Sequence, residues 1–264
     1  MKLGSFDTIG NIAILPLFTK NPKSIAKTLL TENKNIKSVF MKVEKIKGRL
    51  RTRKLKYISG EKIKETIHKE SGCLFKLDIE KCYFSPRLSN DRIEIMKQVK
   101  PGERVLVMFS GVGPYGIIIA KNTKAKEVYM IELSRIAEKY QKENIKLNKL
   151  NNVISIQGDV RKIIPKLKKK GIKFDRIIMT RPQLKDDFLD VALQVAKEST
   201  IIHFYDFLKE EEIPEKAFEK ISKAIEKFSK KPGVRIESWK LIRWKRALEI
   251  GPRRWRVRVD FYVF

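Results

Sequence analysis

The stretch Val105-Leu106-Val107-Met108-Phe109-Ser110-Gly111-Val112-Gly113-Pro114-Tyr115-Gly116, continued by Ile117-Ile118-Ile119-Ala120, decides how the chain is read. An apolar run ends in Gly-x-Gly and passes straight into a helix-like segment. That is the pattern of a strand, a tight turn and a helix start. Glycine has no Cβ, so the backbone at Gly111 and Gly113 can come close to a ligand. Pro114 suits a first helical turn, where its missing N–H costs nothing. Gly111, Gly113 and Gly116 also satisfy G-x-G-x-x-G. Both nicotinamide dinucleotides and S-adenosylmethionine bind above such a turn, so the motif alone does not choose between them.

The segments that follow make the choice. Glu127–Ile131 reads as a second strand ending at Glu132, and Ser134 to about Leu147 as a helix. Val153–Ile156 is a third strand ending at Gly158-Asp159, Asp175–Met179 a fourth and Thr200–Phe204 a fifth. The last two apolar runs, Val234–Ile242 and Trp255–Phe264, have no helix between them and pair as a hairpin. A βαβ series closed by a terminal hairpin predicts an α/β fold, the class I (Rossmann-like) methyltransferase sheet, parallel with one reversed strand. A nicotinamide fold has no reason to end that way.

Upstream, residues 1–82 read as a small α+β domain, with 83–264 as the cofactor domain. Pro22–Leu30 is a short helix with Asn21 as its cap. Val39–Ile58 is a two-stranded basic ribbon broken at Gly48, and Thr66–Leu77 is a hairpin turning near Ser71-Gly72. Ser89–Val99 is a helix capped by Ser89 and stopped by Pro101-Gly102.

Formal net charge is +28, from 59 Lys and Arg against 31 Asp and Glu. A charge that large implies a polyanionic partner, with nucleic acid the first candidate. Hydrophobic content of 42% is enough to bury a core. Cys73 and Cys82 have no metal-like spacing, and His68 and His203 lie far apart, so no metal is expected and a reduced cytoplasmic setting is. The N-terminus has no signal-peptide core, and no apolar run approaches the roughly 18 residues of a membrane span.

Candidate site residues follow from the strand ends. Glu132, about 20 residues past the glycine turn, can accept both ribose hydroxyls of a nucleoside cofactor. Asp159 ends the next strand and can reach an adenine amino group. Thr180, Arg181 and Pro182 end the fourth strand, on a loop that in this fold faces the group to be methylated. Tyr83-Phe84-Ser85-Pro86-Arg87-Leu88-Ser89-Asn90-Asp91-Arg92 sets aromatics and arginines beside a helix start, which favours anions. Asp91 is the nearby acid in sequence for both Arg87 and Arg92. Gly48–Lys54 is a basic turn on the ribbon. Trp239, Trp244 and Trp255 interleave with arginines. In the last strand Trp255, Val257, Val259 and Phe261 share one face, and Arg254, Arg256 and Arg258 the other. That arginine face is expected to lie open towards RNA, with Trp255 in the core.

Taken together these motifs resemble the tRNA (guanine-37 N1)-methyltransferase family of archaeal and eukaryotic type and its wybutosine-pathway relatives. The resemblance is carried by Phe84–Arg92, Met108–Tyr115, Asn144–Lys149 and Ile202-His203-Phe204-Tyr205, with Gly251-Pro252-Arg253 resembling a late Ala-Pro-Arg. It implies S-adenosylmethionine, held by Tyr83, Phe109, Gly111, Gly113, Glu132 and Asp159. It implies Asp91 as general base, in place of a glutamate, with Arg87 orienting it and Arg51 contacting guanine O6. Thr180, Arg181, Pro182 and Arg253 would meet the substrate. Guanine N1 carries a proton, so a base must remove it while a cation stabilises charge growing on O6. The family's acid before the glycine turn is Val107 here, and its Asn-Leu-Pro is Thr180-Arg181-Pro182. The elbow-binding N-terminal module is expected to be absent, with the anticodon arm of tRNA gripped by a monomer. The resemblance leaves two alternatives: a wybutosine-branch transferase moving an aminocarboxypropyl group or methylating a tricyclic guanosine, and a non-catalytic tRNA-binding relative.

Overall fold

The computed structural model of the chain describes residues 6–44, 52–181, 186–234 and 236–264. A four-stranded sheet comes first: β1 (Asp7–Ile9), β2 (Ile12–Leu15), β3 (Ser38–Lys42) and β4 (Leu55–Gly60), paired in that order. Helix α1 (Pro22–Glu32) crosses between the parallel strands β2 and β3. Ala13, Leu15 and Val39 point at α1, while Ile12, Ile14 and Phe40 point into the cluster formed with the larger half. A strand buried on both faces reads as a continuous apolar run, which is why Ile12–Leu15 shows no alternation. Asn21 does not cap α1. It takes a left-handed backbone, and its side chain makes no cap bond. The ribbon is present as the antiparallel pair β3–β4, and its Gly48–Arg51 segment lies outside the described residues.

The hairpin β5 (Glu65–Glu70) and β6 (Cys73–Asp78) turns at Ser71-Gly72, as expected. Two asparagines one helical turn apart hold its edge. Asn144 Oδ1 accepts from Lys76 N at 2.7 Å and Asn148 Oδ1 from Leu74 N at 2.9 Å, and each amide returns a bond to the same residue's carbonyl. The Asn144–Lys149 motif therefore acts as a substitute strand. Helix α2 (Ser89–Met96) starts one residue earlier than a Ser89 cap requires, with Leu88 at the cap position, because a 3-10 turn over Pro86–Leu88 leads into it.

The large sheet contains β7 (Arg104–Met108), β8 (Glu127–Glu132), β9 (Val153–Gln157), β10 (Phe174–Met179), β11 (Ala196–Lys209), β12 (Trp239–Gly251) and β13 (Arg254–Val263). Helices α3 (Pro114–Asn122), α4 (Arg135–Leu147), α5 (Val160–Lys169), α6 (Leu189–Ala192) and α7 (Glu215–Ser229) separate them. The strand order is β9-β8-β7-β10-β11-β13-β12, parallel except at β13, which is antiparallel to both neighbours. The order reverses between β7 and β10, which puts a ligand crevice at their carboxyl ends. Strand β11 is longer than expected: beyond Phe204, paired with Met179, it continues to Lys209 with only β13 beside it.

That extension overturns the reading of the arginine face. β13 is an interior strand, and Arg256 and Arg258 are 2% and 0% exposed. Arg258 pairs with Asp91, Glu94 and Asp260, and Arg256 donates to the Thr180 carbonyl and lies over the Tyr205 ring, so both face the interior. Trp239 is also a packing residue, against Phe218 and Phe261, with its Nε1 donating to Ser222 Oγ at 3.1 Å. Trp255 packs on the core as expected. Among the described residues no helix is long and apolar enough to cross a membrane.

Candidate active site

The glycine bend is built as read. Gly111 and Gly113 have φ of +59° and +92°, a region that side-chain-bearing residues rarely enter. Gly116 serves packing: a Cβ there would sit 2.3 Å from Met130 Sδ, so α3 could not lie against β8. Phe109, just before the bend, is left-handed at φ +61° without being glycine. Such strain persists where surroundings enforce it. Here the Phe109 ring meets Phe188 edge-on at 5.0 Å, and its carbonyl accepts Thr180 Oγ1 at 2.8 Å.

Glu132 closes the bend from β8. Its carboxylate accepts Gly111 N–H at 2.7 Å and Ser134 N–H at 2.8 Å. Burial lifts its carboxyl above the ordinary range, against the pull of those amides and of Arg181. The cavity beside it encloses about 90 Å³. Tyr83, Phe109, Gly111, Glu132, Thr180 and Arg181 line it. A narrower slot continues from it between Phe109, Leu133, Val160 and Phe188, with Asp159 at its edge. Asp159 also caps α5 through Arg161 N–H at 2.9 Å. A half-buried carboxylate beside an aromatic slot suits the hydroxyl and amino donors of an adenosine moiety. Among the expected cofactor positions, Tyr83, Phe109, Gly111 and Glu132 line the cavity, Asp159 lines the slot, and Gly113 shapes the turn.

Other expected residues sit differently. Thr180 reaches the cavity, but its hydroxyl is tied to the Met108 and Phe109 carbonyls, so it fixes the loop rather than presenting a free donor. Arg181 borders both cavity and slot. Arg253 lies at the exposed β12–β13 turn beside Glu210, away from the cavity. Arg51 and Pro182 lie outside the described residues. Asp91 does not pair with Arg87: Arg87 Nε donates to Asp7 at 2.6 Å, and Arg92 forms a two-pronged pair with Glu70 at 2.6 Å per bond. The acids that answer these arginines come from β1 and β5, which nearness in sequence could not reveal.

The carboxylate of Asp91 is 3% exposed and is taken up by the Tyr115 hydroxyl at 2.7 Å, the Tyr205 hydroxyl and Arg258. Arg258 continues to Asp260, which meets His203 Nδ1 at 2.7 Å; His203 Nε2 meets Arg176 at 2.8 Å, and Arg176 pairs with Glu103. Arginine cannot accept, so Nε2 accepts and Nδ1 carries the proton. Burial pushes the His203 pKa down, which keeps the ring neutral, while His203 and Arg258 hold Asp260 well below the usual carboxylate range. Sequence reasoning missed four contributors. Arg92, Tyr115 and Arg256 line the cavity. Arg53, 8% exposed, donates to the Phe84 carbonyl at 3.2 Å. Tyr115 was hidden inside an apolar run that reads as core.

A class I sheet, a glycine bend closed by a half-buried acid and an aromatic slot define an S-adenosylmethionine-dependent methyltransferase. The TRM5/TYW2 methyltransferase domain matches residues 66–234, and the TYW2 N-terminal domain matches residues 3–63. The chain is 41% identical to tRNA (guanine(37)-N(1))-methyltransferase Trm5b of Pyrococcus abyssi, over 98% of this chain and 74% of that protein. The crystal structure of that Trm5b superposes with a TM-score of 0.84 at 38% identity, covering 99% of this chain and 75% of that one. A Trm5 in complex with tRNALeu gives 0.82 at 32% identity, over 98% and 72%. Methanocaldococcus jannaschii TYW2 in complex with AdoMet gives 0.71 at 29% identity, over 98% and 100%. The chain belongs to the TRM5/TYW2 methyltransferase family, and its cofactor is S-adenosylmethionine.

Proposed function

We propose that this protein is a tRNA (guanine(37)-N1)-methyltransferase, transferring a methyl group from S-adenosylmethionine to N1 of guanosine 37 in the anticodon loop. The observation that carries the reading is the cavity itself, which continues into an aromatic slot and is lined by Arg92, Arg256 and Tyr115, the last with its hydroxyl on the Asp91 carboxylate. The cofactor supplies an electrophilic methyl carbon on a sulfonium. Glu132 holds the ribose hydroxyls, Asp159 and the slot hold the adenine, and Tyr83 covers the bend beside Gly111. The target base leaves the anticodon stack, at a cost of a few kcal/mol, and enters beside Thr180.

There N1 must lose its proton. Asp91 is the carboxylate on which that proton ends in this reading, with Arg51 and the buried Arg256 countering charge on O6. Arg87, bound to Asp7, braces the segment that carries Tyr83 rather than orienting Asp91. Arg181 and Pro182 would contact the base, and Arg253 the RNA at the hairpin tip. Residues 1–82 form the RNA-facing unit and 83–264 the cofactor unit, working as a monomer in the cytoplasm on the anticodon arm.

The match of residues 3–63 to the TYW2 N-terminal domain favours a second reading. In it the chain acts on a 4-demethylwyosine-type base, by methylation or by aminocarboxypropyl transfer. Unmodified tRNA transcripts separate the two. Labelled cofactor should mark a transcript with guanosine at position 37 and spare one with adenosine there. Labelling of both, or of neither until the base is tricyclic, removes the first reading.

A further inference from the structure

The inner wall of the cavity contains a short chain of exchangeable protons. The carboxylate of Asp91 does not reach the cavity. Its Oδ2 accepts the hydroxyls of both Tyr115 and Tyr205, and its Oδ1 meets Arg258. The two phenol oxygens lie 3.2 Å apart, yet only Tyr115 lines the cavity. A phenol has one proton and can also accept. With its proton donated to Asp91, Tyr115 Oη keeps lone-pair capacity to accept a further proton.

Resting on the activity proposed above, we infer that the Tyr115 hydroxyl takes the N1 proton of the target guanine and passes its own proton to Oδ2 of Asp91. The atoms balance in one step. N1 bonds to the methyl carbon, the C–S pair stays on sulfur, the N1 proton moves to Tyr115 Oη, and the Tyr115 proton moves to Asp91. No tyrosinate accumulates, because burial and the neighbouring Asp91 charge hold the phenol far above its ordinary pKa. Asp91 can accept the proton without stranding its cation. Arg258 also faces Glu94 at 3.1 Å and Asp260 at 3.0 Å, so two carboxylates remain on it. The other charges facing the two rings are Arg92, 5.7 Å from the Tyr115 ring, and Arg256, 4.3 Å from the Tyr205 ring. Both favour negative charge passing along the relay.

The two tyrosines provide the discriminating test, since both bind Asp91 Oδ2 and one faces the cavity. Single-turnover rates on unmodified tRNA, at saturating cofactor, should fall about 100-fold or more for Tyr115→Phe. They should fall less than about tenfold for Tyr205→Phe, with cofactor and tRNA affinities of Tyr115→Phe unchanged. Asp91→Asn should be as slow as Tyr115→Phe, and the double variant no slower than Asp91→Asn, because both lie on one path. A wild-type rate in Tyr115→Phe, equal losses in the two tyrosine variants, or additive losses would overturn the relay. A measurement on the unaltered protein stands beside these: two protons in flight predict a bowl-shaped dependence of rate on deuterium fraction, and a straight line contradicts them. If the wild type methylates some other atom, the activity reading fails whatever the variants do.

Discussion

Glu132 offers the most quantitative handle on the site. Its carboxylate already accepts two backbone N–H groups, from Gly111 at 2.7 Å and Ser134 at 2.8 Å, and faces the cavity where a ribose would lie. Hydrogen bonds to a charged group contribute about 1.5–3 kcal/mol each, against about 0.5–1.5 kcal/mol for neutral ones. Glu132→Gln keeps an acceptor but removes the charge, so two ribose bonds lose roughly 2–3 kcal/mol together, or about 50-fold in dissociation constant. Glu132→Ala removes both bonds and leaves the two amides unpaired, so its loss should be about 100-fold or more. Titration calorimetry with S-adenosylhomocysteine reads both numbers directly. Circular dichroism of each variant without ligand checks that the fold survives. A folded Glu132→Ala that binds within about threefold of wild type would remove this residue from the ribose and the cofactor from this bend.

Three further outcomes follow from the geometry. Gly116→Ala should cost about 1–3 kcal/mol of stability, because its Cβ would overlap Met130 and lift α3 from β8; an unchanged urea midpoint would mean the contact relaxes freely. Arg92→Met strands the buried Glu70 carboxylate between hairpin and α2, so unfolding should become easier by about 3–5 kcal/mol; a loss below about 1 kcal/mol would contradict that pairing. His203 gives a pH signature. Its folded pKa is depressed from 6.5, so below about pH 6.5 the unfolded chain gains a proton that the folded chain refuses. The stability it contributes is therefore present above that value and lost as pH falls, by up to about 1.4 kcal/mol per pH unit. Asp260 and Glu70, whose folded pKa values are also depressed, are lost only nearer the carboxylate range. Raised groups such as Glu132 and Asp206 act in the opposite sense. Urea titrations of wild type and His203→Gln between about pH 7.5 and 5.5 isolate the histidine. Parallel pH profiles would refute its neutral burial.

The central sheet was legible because the runs 105–108 and 177–179 are apolar on both faces and each strand end carries its own punctuation: Gly111, Glu132, Asp159 and Thr180. The last strand was legible because Val257, Val259 and Phe261 alternate, whereas its partner runs Trp239–Gly251 and not Val234–Ile242, its charged residues hiding the second half. What alternation cannot say is where the other face looks. Arg256 and Arg258 read as a wet surface because the Thr180 carbonyl that Arg256 meets and the Asp91 carboxylate that Arg258 meets lie 76 and 167 residues earlier. Likewise Arg87 finds Asp7 across 80 residues. Pairing across such distances is set by how the small sheet and α2 dock on the large one, which no local pattern encodes. Tyr115 was invisible because a single hydroxyl does not alter the hydropathy of Ile117–Ala120.

The identity of the modified nucleoside bears most directly on the activity. Unmodified tRNA would be incubated with cofactor labelled either in the methyl carbon or in the carboxyl carbon, digested, and its nucleosides separated by mass. The expected result is 1-methylguanosine at position 37, bearing the methyl label and none of the carboxyl label. A product that keeps the carboxyl label, or a methyl group on any other nucleoside, would contradict it.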